Sequence, residues 1–175
     1  MKFIPLPPLE ELKEYLDYNP DTGILTWIKN RGCMKKGQQV GSLHKGNTCV
    51  YLRMQFKGKP YVVHRLAYFI YHGIDPLEKN IDHRDGNGLN NKITNLRLAT
   101  ASSNGHNRSL SKNNTSGKSG VSWMSFRKYG TGRWIARITF NNECIYLGSY
   151  VNKKDAIQVR NEAEKKYYGE FRRQD

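Results

Sequence analysis

Apolar residues change rhythm several times along this chain. Near its start, Leu9, Leu12 and Leu16 fall at helical spacing and predict a short amphipathic helix. Tyr18–Gly23 (YNPDTG) is dense in turn formers. Three β-branched or aromatic runs follow, at 24–28, 48–56 and 60–64, and predict strands; Lys57-Gly58-Lys59, between the last two, predicts a hairpin turn. The segment 64–72 (HRLAYFIYH) predicts a helix with Leu66, Phe69 and Ile70 on one face. Residues 1–75 therefore predict a small sheet plus helix that supports whatever follows.

The next stretch, about 76–108, is too polar to be a core. Asparagine is packed in at 87, 90, 91, 95, 104 and 107, and apolar residues are few, among them Ile81, Ile93, Leu96 and Leu98. One short strand is predicted to end at Ile81 and another near 96–98, with a Gly- and Asn-rich loop between them. Thr100 can N-cap a short helix over about 101–108. Residues 109–120 (SLSKNNTSGKSG) hold almost nothing apolar and predict a flexible linker. Beyond it, runs at 121–128, 134–140 and 144–150 predict three strands. Residues 153–168 predict one helix with Ala156, Val159, Ala163 and Tyr167 along a face. The expected fold class is α+β. The expected domains are 1–108, a linker at 109–120, and a three-stranded antiparallel sheet packed on one helix over 121–175.

Composition narrows the function. The 175 residues carry 29 Lys and Arg against 15 Asp and Glu, a net charge of +14, with 20 aromatic residues to build cores. No run of about 18 apolar residues is present to span a membrane, and the start of the chain does not look like a signal peptide. Cys33, Cys49 and Cys144 are odd in number and far apart, with no Cys-x-x-Cys pair. Neither a disulfide framework nor a cysteine zinc site is favoured, and a reduced, cytoplasmic setting is expected. The signs of charge are segregated: the 57 residues from Gly86 to Asn142 hold nine basic residues and no acidic one. A long stretch of one sign needs a polyanion, and nucleic acid is the usual one.

The candidate chemistry sits in the polar stretch. Asp82-His83 lies at a predicted strand end, followed by the asparagine loop. A carboxylate and an amide carbonyl are hard oxygen ligands for Mg²⁺. An imidazole titrating near neutrality can deprotonate water, once a partner on its second nitrogen fixes the tautomer. Those are the parts for metal-assisted phosphodiester hydrolysis.

The ordered series Val63-His64-Arg65-Leu66, Ile81-Asp82-His83-Arg84-Asp85-Gly86-Asn87, Asn95-Leu96-Arg97 and Asn104-x-x-Asn107-Arg108 resembles the HNH endonucleases of phage and intron-homing type. Residues 19–27 (NPDTGILTW) also resemble the N-terminal region of their phage members. The resemblance implies a ββα-metal module binding one divalent ion, Mg²⁺ or Mn²⁺. It implies Asp82 and Asn104 as metal ligands, His83 as general base and Asn95 as the residue that orients it. Many family members carry His where Asn104 stands. His106 is the alternative ligand, and Asn104 is preferred because its distance from Asn95 fits the pattern.

The C-terminal part resembles the plant ethylene-response-factor DNA-binding module, the AP-two domain. The resemblance rests on residues 119–123 (SGVSW), 133–138 (RWIARI), 146–150 (YLGSY) and Lys154-Asp155-Ala156. That likeness implies a sheet laid in the major groove. Alternation then puts Trp134, Ala136 and Ile138 toward the helix, and Ile135, Arg137 and Thr139 toward DNA, with Ser122, Met124 and Tyr146 beside them. Arg127, Lys128 and Arg133 flank the sheet and suit phosphates, as do Arg108, Lys112 and Lys118 before it. The plant pattern has arginines where this chain has Ser122, Met124 and Cys144, so its base preferences do not transfer. Together the parts predict a site-specific homing-type endonuclease acting on double-stranded DNA. It is expected to be a phage-encoded monomer that nicks one strand. A non-catalytic DNA-binding regulator with a relict nuclease fold is the alternative.

Overall fold

A computed structural model describes residues 4–46, 49–77, 79–100, 110, 113–126 and 131–171. The chain divides into two compact units, Met1–Asn104 and Gly105–Arg173.

The first unit begins with α1 (Leu9–Lys13), which buries Leu12 completely. The apolar spacing then changes meaning. Leu16 opens β1 (Leu16–Asn19), whose Leu16 and Tyr18 alternate inward, so the helix stops a turn before the Leu9-Leu12-Leu16 series does. β1 pairs antiparallel with β2 (Ile24–Trp27). The turn joining them closes on Asn19, whose Oδ1 accepts the amides of Asp21 and Thr22 at 3.0 Å each. Gly23 completes it at φ +74°, where a side chain would also overlap the backbone of Asn91 and Lys92.

A second sheet has the order β3 (Ser42–Lys45), β4 (Val50–Phe56), β5 (Lys59–Val62), all antiparallel. Lys57 and Gly58 both take positive φ, 50° and 74°, as a tight two-residue hairpin requires. α2 (Val63–His72) lays Val63, Leu66, Ala67 and Phe69 on the core and stops at Gly73, which is left-handed and donates to the Phe69 carbonyl at 2.8 Å. The hairpin of β6 (Asn80–His83) and β7 (Leu96–Ala99) adds Ile81 and Leu96 to that core, beside Leu16, Leu25, Trp27 and Phe56. The polar stretch is therefore anchored through its few apolar residues. The helix expected over 101–108 lies outside the described residues.

The second unit is a sheet in the order β10-β9-β8, built from β8 (Val121–Phe126), β9 (Thr131–Phe140) and β10 (Glu143–Tyr150), with α3 (Lys153–Tyr168) against it. Val121, Trp134, Ala136 and Tyr150 meet Ala156 and Ile157 of α3. The helix buries Arg160 and Glu164 as well as the expected Ala156 and Ala163. Residues 113–120 depart from the expected tether and fold onto this unit. Asn114 Oδ1 accepts the Gly117 amide, the Ser116 hydroxyl donates to the Lys118 carbonyl at 2.7 Å, and Arg137 donates its amide to the Gly120 carbonyl. Composition was the misleading signal there, because the Ser, Asn and Gly that suit a linker also suit a hydrogen-bonded turn. Among the described residues no helix is long and apolar enough to cross a membrane. Cys33, Cys49 and Cys144 are free and exposed.

Candidate active site

Asp82 and His83 end β6, and their cross-strand partners are Arg97 and Leu96 on β7. At the end of this strand the Asp82 carboxylate is close enough to the imidazole for its charge to favour the protonated ring. Asp82 faces Arg97, whose Nε and Nη2 both donate to Asp82 Oδ2, at 2.9 and 2.7 Å. Both side chains are buried, at 7% and 6% exposure, so each charge depends on the other to be tolerated there.

His83 is 8% exposed. Its Nε2 lies 3.0 Å from Asn91 Oδ1. An amide oxygen only accepts, so Nε2 carries the proton and the Nδ1 lone pair is the basic one. Burial pushes the imidazole below its ordinary pKa; the Asn91 bond and the Asp85 and Asp82 carboxylates offset that only in part. His83 is therefore neutral near pH 7, the state a base needs.

The loop that delivers Asn91 is tied internally by Asp85 and Asn95. Asn95 Oδ1 accepts the Asp85 amide at 3.1 Å, and its Nδ2 donates to Asp85 Oδ1 at 2.9 Å and to the Asn90 carbonyl at 2.8 Å. Asp85 also accepts the Asn87 amide and the Asn90 side chain, at 2.8 and 2.7 Å. Burial pushes the Asp85 carboxyl up, but the bonds from Asn90, Asn87 and Asn95 outweigh it and hold the group below the usual carboxylate range. The loop is docked from outside by the β1–β2 turn: Tyr18 donates its hydroxyl to the Asn91 carbonyl at 2.6 Å, and the Ile93 amide donates to the Pro20 carbonyl at 3.1 Å. Asn91 is 2% exposed.

Asn95, expected to orient the histidine, is thus bonded within the loop, and the amide on His83 is Asn91. Sequence reasoning missed Asn91 because asparagines crowd this stretch and only the path of the loop selects one. It also missed His64. That ring stands edge-to-face on His83 with centroids 4.9 Å apart, and its enclosed Nδ1 has no hydrogen-bond partner among the described residues. Burial, then His83 and Arg65, push His64 down to about 3.

Of the two metal ligands that the resemblance implies, Asp82 is among the described residues. No cluster of three acidic, His or Cys side chains is present among them. Asn104 and the alternative His106 lie outside the described residues. The Asp82 oxygens are hard donors that suit Mg²⁺, although Oδ2 already serves Arg97.

The expected DNA-facing residues of the second unit divide similarly. Ser122, Met124, Arg133, Arg137, Thr139 and Tyr146 are exposed on the sheet face opposite α3, as the cross-strand pairs Met124–Arg133 and Arg137–Tyr146 require. Ile135 shares that face but is 4% exposed, so it is not available to a ligand. Lys118 departs from expectation: its ammonium bonds Glu164 at 2.9 Å and its side chain is 12% exposed, which withdraws it from phosphate contact. Arg108, Lys112, Arg127 and Lys128 lie outside the described residues.

Residues 61–106 match the HNH endonuclease family model. The chain is 34% identical over 110 residues to an uncharacterized HNH endonuclease of Acanthamoeba polyphaga mimivirus, covering 62% of this chain and 54% of that protein. It is 48% identical over 52 residues to Protein 3.8 of Escherichia phage T7, covering 30% of this chain and 43% of that one. The chain spans about half the length of the curated relatives it matches. No solved structure matches it. The segment that is similar to the HNH endonuclease family takes in α2, the β6–β7 hairpin and the Asn91 loop, with His83 inside it.

Proposed function

We propose that this chain is a metal-dependent endonuclease of homing type that nicks one strand of double-stranded DNA as a monomer. The observation that carries the proposal is His83, a buried imidazole whose Nε2 lies 3.0 Å from the Asn91 amide oxygen, inside the segment similar to the HNH endonuclease family. In this role Nδ1 takes the proton of the attacking water. Asn91 fixes the tautomer, and Asn95 with Asp85 keeps the loop in the shape that presents Asn91. Asp82, with Asn104, would hold the divalent ion, Mg²⁺ or Mn²⁺. When bound, that ion supplies charge stabilisation at the phosphate. The exposed sheet face of the second unit, with Arg133, Arg137, Thr139 and Tyr146, supplies DNA contacts of the AP-two type. A single proposed base, His83, acting in a monomer supports cutting of a single strand.

The test is nicking of supercoiled plasmid with and without Mg²⁺, by the wild type and by His83→Ala. The variant should lose roughly 10²–10⁴-fold in rate, the ordinary worth of a general base, while keeping its DNA affinity. Wild-type nicking by His83→Ala removes His83 from the mechanism. A single observation favours the second reading, a non-catalytic DNA-binding regulator: Arg97 engages Asp82 Oδ2 twice and competes with a cation for it. Absence of nicking in any divalent metal, with DNA binding retained, would decide for the regulator.

A further inference from the structure

We propose that His64 is a second substrate-binding imidazole of the site, donating from Nε2 to an oxygen of the phosphodiester whose attacking water His83 activates. The proposal rests on the nuclease reading and assigns a substrate contact within that site.

The first observation is position. His64 is the second residue of α2, whose core-facing residues are Val63, Leu66, Ala67 and Phe69. One step along a helix turns the side chain by about 100°, which takes residue 64 off the apolar stripe that Val63 opens. Its ring instead meets two others edge-to-face. The centroids lie 4.9 Å from His83 and 6.0 Å from Tyr51 of β4. His64 is thus in direct contact with the candidate base.

The second observation is which nitrogen is enclosed. Nδ1 is buried without a hydrogen-bond partner among the described residues. The residue as a whole is partly exposed, so the accessible edge of the ring is the one that carries Nε2. A neutral imidazole has a single N–H. An enclosed N–H that lacks an acceptor is rare and costly, so the proton sits on Nε2, where a ligand can accept it. The two touching rings then share one tautomer and use it differently. His83 spends its Nε2 proton inside the protein, on Asn91. His64 presents its own outward.

The third observation is the choice of side chain. A ring kept only for packing would be apolar, because an imidazole with one nitrogen enclosed and unpartnered costs stability that a phenyl ring does not. Burial, then His83 and Arg65, push the His64 pKa down to about 3, so the ring stays uncharged. A neutral N–H holds a phosphate oxygen by a hydrogen bond and transfers no proton to it. The oxygens on a phosphorus under attack gather negative charge, and a fixed donor aimed at them is worth most at that moment.

The experiment compares single-turnover nicking of supercoiled plasmid in Mg²⁺ by the full-length wild type, His64→Gln and His64→Phe. Glutamine places an N–H near the position of Nε2 and has no ring. Phenylalanine keeps the ring and has no N–H. Removing one such donor costs roughly 10²–10³-fold in rate, so His64→Phe should fall by that factor and His64→Gln by about 10-fold or less. A ring that only packs against His83 gives the reverse order, and His64→Phe as fast as His64→Gln, or faster, overturns the proposal. Thermal melts establish that both variants fold. A second measurement needs no variant. Long-range ¹H–¹⁵N spectra of the wild type in EDTA should show His64 as the Nε2–H tautomer, and its Nε2 signal should shift when a 30-base-pair duplex is added. An Nδ1–H tautomer, or a signal that the duplex leaves in place, also overturns the proposal. A protein whose His64 meets duplex but which nicks in no divalent metal would sink the nuclease reading and leave the contact standing. Nicking by the wild type with the reverse order of variants would sink this proposal alone.

Discussion

Replacing Asn91 with Ala tests the geometry around His83 most directly. In the wild type Asn91 Oδ1 accepts from His83 Nε2 at 3.0 Å, and both side chains are buried. Alanine leaves the Nε2 proton without that acceptor, a cost of about 1–3 kcal/mol for a buried donor, and frees the ring to exchange tautomers and rotate. Loss of a group that orients a reacting imidazole typically lowers activity about 10–100-fold. That corresponds to roughly 1.4–2.7 kcal/mol of transition-state stabilisation. Asn91→Asp keeps an acceptor at the same place, so it should retain the tautomer. It adds a negative charge beside the ring, which raises the His83 pKa and moves the acid limb of the rate profile to higher pH. The assay is single-turnover nicking of supercoiled plasmid at saturating Mg²⁺ across pH 5–8, with thermal melts to separate rate from folding. If Asn91→Ala nicks at the wild-type rate, or if Asn91→Asp leaves the acid limb where it was, Asn91 does not orient the base.

Gly23→Ala should lower both stability and nicking, although it is far in sequence from His83. Its φ of +74° and the overlap of a Cβ with Asn91 and Lys92 push on the loop that presents Asn91; equal nicking rates would refute this. Asp82→Ala should destabilise by about 3–5 kcal/mol in urea melts, because it leaves Arg97 charged and buried, and a small loss would mean the pair is solvated. Acid should destabilise the fold through His64. Its folded pKa of about 3 lies below the ordinary 6.5, so the unfolded chain binds the extra proton and stability falls as pH drops from about 6.5 toward 3. The slope is about 1.4 kcal/mol per pH unit for that one group, or roughly 2 kcal/mol between pH 6.5 and 5. His64→Phe should remove that part of the loss in urea melts at the two pH values, and an unchanged difference would show that His64 is not the group titrating. Arg133→Gln/Arg137→Gln should flatten the salt slope of DNA binding by about 1.8 if both touch phosphate, and no change would remove the outer sheet face of the second unit from the DNA interface.

Much of the scaffold was legible from periodicity. α2, the Lys57–Gly58 hairpin, the β6 and β7 segments and α3 follow from apolar spacing and turn residues that act locally. β1 was hidden because Leu16 continues the helical spacing of Leu9 and Leu12, and only pairing with β2 makes the next residues alternate. β3 was hidden because SLHK has neither a β-branched residue nor length. On α3 the buried Arg160–Glu164 pair defeats a reading based on apolar positions: Gly120, with no side chain, leaves room for the Arg160 guanidinium. In each case the deciding contact comes from another element, which local pattern does not encode.

The site shows the same division more sharply. Asp82 and His83 are found by their neighbours in sequence, because a strand end followed by turn formers presents side chains whatever the rest of the chain does. The partner of His83 is not found that way. Asn90 and Asn91 are adjacent and chemically identical, yet one bonds Asp85 and the other His83. The difference is set by Tyr18 and Pro20, about 70 residues earlier, which hold the backbone at Asn91 and Ile93. This gives the N-terminal turn a catalytic consequence under the proposed mechanism. The YNPDTG segment touches no substrate, but it selects which amide meets the imidazole, and so which ring nitrogen is basic.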